Sequence, residues 1–110
     1  MSRHVLMVLT NATEGDDAEF NRWYDEVHLK EVLETPGFVA AERFELSGTQ
    51  MSEDEQTHRY LALYEIEGDP AAAAKPLMEL APGMNMSATL SEDAATGLFS
   101  QITPRMTEAS

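Results

Sequence analysis

The spacing of apolar residues shifts repeatedly along this chain, and each shift marks an element. Val5 to Leu9 is an unbroken apolar run between His4 and Thr10. A run that short predicts a strand covered on both faces. Asn11 to Asp17 is polar and reads as a loop, with Asp16 or Asp17 placed to cap a helix and Glu19 adding charge near its start. Phe20, Trp23, Tyr24 and Val27 then recur at i, i+3, i+4 and i+7, one apolar helical face with His28 at its trailing edge. A second apolar set follows: Leu29, Val32 and Leu33. Thr35-Pro36-Gly37 breaks the helix, since proline lacks the N–H and glycine permits a turn.

Phe38 to Leu46 reads as a strand, with Phe38, Ala40, Glu42, Phe44 and Leu46 on one face and Val39, Ala41, Arg43 and Glu45 on the other. Residues 47–56 form a polar surface loop, expected to be mobile. His58 to Ile66 is the third strand. Tyr60, Ala62 and Tyr64 face one way, Leu61 and Leu63 the other. Gly68-Asp69-Pro70 starts a second helix, capped by Asp69, that runs over 71–80 and that Pro76 should kink or split. Residues 84–95 read as a loop with one helical turn after Ser91. Gly97 to Thr103 is the last strand, and residues 104–110 a frayed tail.

The order β-α-β-β-α-β is the split-βαβ, ferredoxin-like order: an α+β fold with a four-stranded antiparallel sheet and both helices on one face. The other sheet face would be bare, and these strands are too apolar for that. Two copies packed sheet to sheet, as a homodimer closing into an α/β barrel, would cover it. The 110 residues make one domain, 1–110.

Charge and composition narrow the partners. A formal net charge of −13 opposes nucleic acid and anionic membranes. The absence of cysteine excludes disulfides, thiolate metal sites and cysteine nucleophiles. No apolar run reaches membrane-span length, and Met1 to His4 lacks a signal-peptide pattern, so a cytoplasmic location is the default.

The segment Phe20-Asn21-Arg22-Trp23-Tyr24-Asp25-Glu26-Val27-His28, then Pro36-Gly37-Phe38 and Arg43-Phe44, with Tyr60-Leu61-Ala62-Leu63-Tyr64-Glu65 in support, resembles the EthD-like branch of the dimeric α/β-barrel proteins. The resemblance covers about half of the chain well. It implies the homodimeric barrel, a pocket lined by His28, and an apolar, aromatic or polyketide-like small molecule as ligand. That superfamily spans monooxygenases, dehydratases, cyclases, isomerases and dechlorinating enzymes, so it does not choose a reaction.

Among the residues themselves, His28 is the leading catalytic candidate, because imidazole exchanges protons near neutral pH. A helix-end histidine bonded to a backbone carbonyl also fits its position. Tyr24, one turn earlier, shares its surroundings, and Trp23 is either core or pocket wall. Asp25 lies three residues before His28, where a carboxylate can orient the ring; a solvated surface position is the alternative. Arg43, on a strand of small and apolar residues, suits a carboxylate or phenolate, or an ion pair with Glu42, Glu45 or a neighbouring strand. Tyr60 and Tyr64 offer hydroxyls to a ligand or serve as amphipathic core residues. Met78, Met84 and Met86 form an adaptable apolar lid or fill gaps. No His-x-x-x-His, nucleophile elbow or glycine-rich phosphate loop is present, so no metal and no cofactor are expected.

These features predict a small cofactor-independent enzyme performing a dehydration, cyclisation or isomerisation, with His28 moving the proton and Arg43 and a tyrosine holding an oxyanion. Two other readings share the fold: a non-catalytic binding or accessory protein for a hydrophobic ligand, and a cofactor-free monooxygenase.

Overall fold

The computed structural model describes residues 3–81, 91 and 93–108. Strands β1 (His4–Thr10), β2 (Phe38–Glu45), β3 (Tyr60–Ile66) and β4 (Ala95–Ser100) form one antiparallel sheet in the order β2-β3-β1-β4. Helices α1 (Asp17–Trp23) and α2 (Leu29–Leu33) are joined end to end by a π-helical turn, Tyr24–His28, and α3 (Pro70–Leu80) follows β3. This is the ferredoxin-like arrangement that the element order predicts.

Alternation on the two central strands sorts the core. Tyr60, Ala62, Tyr64 and Ile66 of β3 are buried, and Leu6 and Val8 of β1 pack with them against Phe20, Trp23, Tyr24, Val32 and Ala73 from the helices. The intervening residues Val5, Met7, Leu9, Leu61 and Leu63 turn to the opposite face and are only partly covered. Phe44 and Phe99 on the outer strands of that face are 47% and 53% exposed. So within one chain the second face is apolar and open, and the expected cover over both faces is absent from the single chain.

The corner at Pro36-Gly37 fixes how the first helical rod meets the sheet. Gly37 has φ +96°, and a Cβ there would sit 2.8 Å from the Cβ of Ala73. Only glycine allows both that backbone and that approach to α3. Thr35 is buried at the corner, and its carbonyl accepts the Phe38 N–H at 3.2 Å.

Several details depart from the sequence reading. A β-bulge between Phe38 and Ala40 inserts a residue into β2. Strict alternation placed Phe38 and Arg43 on opposite faces; the bulge brings both to the helix side. The first helix is not uniform, because the Leu29 N–H reaches back five residues to the Tyr24 carbonyl. Asp69 caps α3 by accepting the Ala71 N–H at 3.1 Å. Pro76 lies inside α3 without splitting it; one absent N–H costs a single hydrogen bond within an alanine-rich helix. Asp16 occupies the first N-cap but makes no side-chain cap bond and instead accepts from the Thr13 hydroxyl. β4 starts at Ala95, two residues before the expected Gly97. Asp93, where a helical turn was expected, sits in a non-helical turn, and Ala94 is irregular. Met78 is 74% exposed, and Met84 and Met86, the rest of the expected lid, lie outside the described residues.

Candidate functional site

The chemistry-bearing side chains gather on the two flanks of the first helical rod, with Tyr24 between them. On the flank toward β2, the bulge aims Arg43 at the helix. Its Nη1 donates to Asp25 Oδ1 at 2.7 Å and its Nη2 to Asn21 Oδ1 at 2.9 Å. The guanidinium carbon lies 4.4 Å from the centre of the Tyr24 ring and 5.4 Å from that of Tyr60. These contacts clamp a planar cation over aromatic faces, an arrangement that a lysine could not reproduce. Asp25 therefore pairs with Arg43 and does not orient His28, and Arg43 finds its counter-charge on the helix, not on Glu42 or Glu45.

A groove of about 500 Å³ opens beside this clamp, lined by Asn21, Asp25, Leu29, Arg43, Phe44 and Tyr60, with Glu45 at its end. It adjoins a second hollow of about 490 Å³ that shares Asn21, Glu45 and Tyr60 and adds Asn11, Asp17 and Arg59. The Tyr60 hydroxyl donates to Asp17 at 2.6 Å. Burial, and then the Asp17 carboxylate, push its phenol above the ordinary tyrosine range, so it remains a neutral donor. Glu45 lies 3.5 Å from Arg59. Each arginine of the groove thus faces a carboxylate, and the remaining apolar wall comes from Leu29 and Phe44.

On the other flank His28 stacks on Trp23, with ring centres 4.8 Å apart and planes 19° from parallel, and meets Tyr24 edge-on at 5.0 Å. Trp23 and His28 are five residues apart. In a regular α-helix that spacing sets side chains about 140° apart around the axis. The π turn absorbs the extra residue and makes the stack possible. The His28 side chain is 15% exposed, and its Nδ1 lies 3.7 Å from Glu31 Oε1. Burial lowers its proton affinity below the ordinary histidine value, and the nearby Glu31 opposes that only in part. None of the cavities described here is lined by His28.

The two tyrosines between the flanks belong to the core. Tyr24 and Tyr64 are buried with hydroxyls 3.3 Å apart. Burial raises both phenols, so the pair stays neutral. Of the residues singled out from sequence, Asp25, Arg43 and Tyr60 line the groove; Trp23, Tyr24 and Tyr64 are buried in the core; and His28 packs against Trp23 and Tyr24, outside the groove lining. Sequence alone marks Asp17 only as a helix cap and gives Asn21 and Glu31 no site role. Asn21, Asp25 and Leu29 do fall at i, i+4 and i+8, a row along the edge of the apolar face, and Glu31 falls at i+3 from His28.

The other histidines play structural parts. His4 Nδ1 bonds the Ser100 hydroxyl at 2.7 Å, and His58 Nε2 donates to the Asp93 carbonyl at 2.7 Å. Among the described residues, no three acidic or imidazole side chains come together as a metal site, and no helix is long and apolar enough to cross a membrane.

No protein-family model matches the chain, and no curated protein matches it in sequence. Solved structures do match over nearly the whole chain. An EthD-like protein from Ralstonia eutropha superposes with a TM-score of 0.64 at 12% identity, covering 100% of this chain and 99% of that one. A dimeric ferredoxin-like protein from an uncultured marine organism gives 0.60 at 14% identity, covering 94% and 98%. SnoaB, a cofactor-independent oxygenase from Streptomyces nogalater, gives 0.54 at 20% identity, covering 99% and 98%. At these identities the likeness concerns the backbone. The chain has the ferredoxin-like fold of the EthD-like and dimeric α/β-barrel proteins.

Proposed function

We propose that this protein is a homodimer that binds a small, largely apolar, oxygenated organic molecule around the first helical rod, with its oxygen at the Arg43 groove on one flank, and exchanges a proton with it through His28 on the other. The observation that carries the reading is the state of His28. It is an imidazole mostly withdrawn from water, held neutral by that burial, stacked on Trp23 and aimed at a carboxylate. A neutral imidazole is a ready base at pH 7. In an isomerisation, dehydration or cyclisation it would accept a proton from one atom of the ligand and return it at another. Arg43 would stabilise the negative charge that develops on oxygen in between. No cofactor enters this scheme. Oxygenation without a cofactor would use the same proton abstraction; the carbanion would then add dioxygen, take the proton back as a hydroperoxide and shed water to leave a carbonyl.

The homodimer reading rests on the open apolar sheet face, which a second copy would cover. A purely binding role is the second reading. It is favoured by the position of the groove, which runs along Arg43 and Tyr60 and not along His28.

A panel of aromatic and polyketide-like compounds, screened by thermal shift, tests the binding part. A ligand of the folded form raises the melting temperature in proportion to the logarithm of its concentration over Kd. A stabilising compound should lose most of its effect in Arg43→Met. Equal stabilisation of that variant would place the ligand elsewhere.

A further inference from the structure

We propose that Glu31 is the positioning residue for His28: it holds the proton on Nδ1 and leaves Nε2 as the basic nitrogen. This deepens the reading of His28 as the proton-exchanging group and rests on it.

The geometry comes from the π turn. By rotating His28 onto Trp23, the turn fixes the plane of the imidazole, since the indole lies against one face and the edge of Tyr24 meets it. With the plane fixed, only the choice of nitrogen remains. Nδ1 is closed off from solvent and has no hydrogen-bond partner, and the polar atom facing it is Glu31 Oε1, 3.7 Å away. The residual exposure of the ring therefore lies away from Nδ1. Glu31 stands at i+3 on the same rod and is largely covered, so its carboxylate is held near the ring by the helix itself.

A carboxylate accepts and never donates when ionised, so beside a neutral imidazole it favours the tautomer with its proton on the near nitrogen. The gap of 3.7 Å exceeds a hydrogen bond, but such contacts in unliganded sites commonly tighten when the ligand is bound. When Nε2 takes a proton from the ligand, the ring becomes an imidazolium and Glu31 stabilises that charge. When Nε2 returns the proton, the ring reverts to the same tautomer. Atoms and charge balance without a co-reactant. Among the described residues, the titratable groups facing His28 are Glu31 and Tyr24, and the Tyr24 phenol stays neutral.

Long-range proton–nitrogen NMR of the folded full-length protein labelled on histidine tests this with no ligand present. The neutral His28 ring should show a protonated Nδ1 and a bare Nε2. In Glu31→Gln the preference for protonated Nδ1 should weaken, and the His28 titration should move to lower pH, because the carboxylate that favours the cation is gone. Glu31→Asp should restore part of the upward shift relative to Glu31→Gln. A wild-type ring protonated on Nε2, or a Glu31→Gln titration superimposable on wild type, would overturn the assignment. Because no ligand is involved, a failed compound screen leaves this result standing, and a failed NMR result leaves the Arg43 groove untouched.

Discussion

At the scale of single residues, the site is decided by which carboxylate faces which cation. Asp25 and Glu31 are both close to His28 in sequence, at three residues before and three after. Spacing alone cannot rank them, because both positions neighbour His28 on a helix. What separates them is Arg43, which reaches Asp25 from another element. That contact depends on a bulge whose presence is not readable from a strand's alternation. The withdrawal of His28 from water has a measurable consequence for stability. Its folded proton affinity lies below the unfolded value of 6.5, so as pH falls through that value the unfolded chain takes up a proton that the folded one refuses. The stabilisation is complete above pH 6.5 and is lost as pH falls toward the folded value. The melting temperature should therefore decline as pH falls below about 6.5, and His28→Gln should flatten that part of the curve. Differential scanning calorimetry at a series of pH values reads this directly; a wild-type curve already flat over that range would rule out a desolvated His28.

At the scale of elements, the two apolar sets of the first helix carried more information than a uniform helix can use. Phe20, Trp23, Tyr24 and Val27 form one face, while Leu29, Val32 and Leu33 are out of step with it by one residue. The π turn between them is the physical resolution, since one extra residue in a turn brings Val32 back over the core beneath Tyr24. The phase slip was legible in the sequence; its cause was not, because a kink would produce the same pattern. Likewise the Asp69-Pro70 start of α3 was legible because its chemistry is local, whereas the bulge in β2 arises from pairing with β3. Strand and helix order followed from periodicity, but the groove did not, since it is made by residues from α1, α2, β2 and β3 together. Deleting the exposed Glu26 should convert the π turn to regular helix without disturbing the core phase on either side. The deletion variant should fold, with its circular dichroism unchanged. The Trp23–His28 pair then falls at i,i+4, so the stack and the lowered proton affinity of His28 should both be kept. A His28 titration raised to the ordinary histidine value by the deletion would show instead that its burial needs the π turn itself.

At the scale of the whole molecule, one helix-covered sheet leaves half its apolar side chains half-wet. Phe44 and Phe99 each keep about half of their surface in water, and covering each would contribute on the order of 1 kcal/mol. Val5, Met7, Leu9, Leu61 and Leu63 lie between them on the same face. Charged groups border it: Arg3, Arg105, Glu42 and Glu65 ring a hollow of about 310 Å³. Residues of both signs at one edge suit a self-complementary contact between two identical copies. Replacing Phe99 with Glu puts a charge where a second sheet would lie, and should shift the protein from dimer to monomer in analytical ultracentrifugation while leaving its circular dichroism intact. A wild type that sediments as a monomer at tens of micromolar would refute the sheet-to-sheet assembly.

Proton transfer between His28 and a bound molecule is tested by a single comparison. For the first compound found to be both bound and converted, turnover is measured for wild type and for His28→Ala alongside the binding constant of each. Loss of a general acid–base group predicts a fall in kcat of about 10²- to 10⁴-fold, with binding in the Arg43 groove little changed. Full turnover in His28→Ala would contradict it.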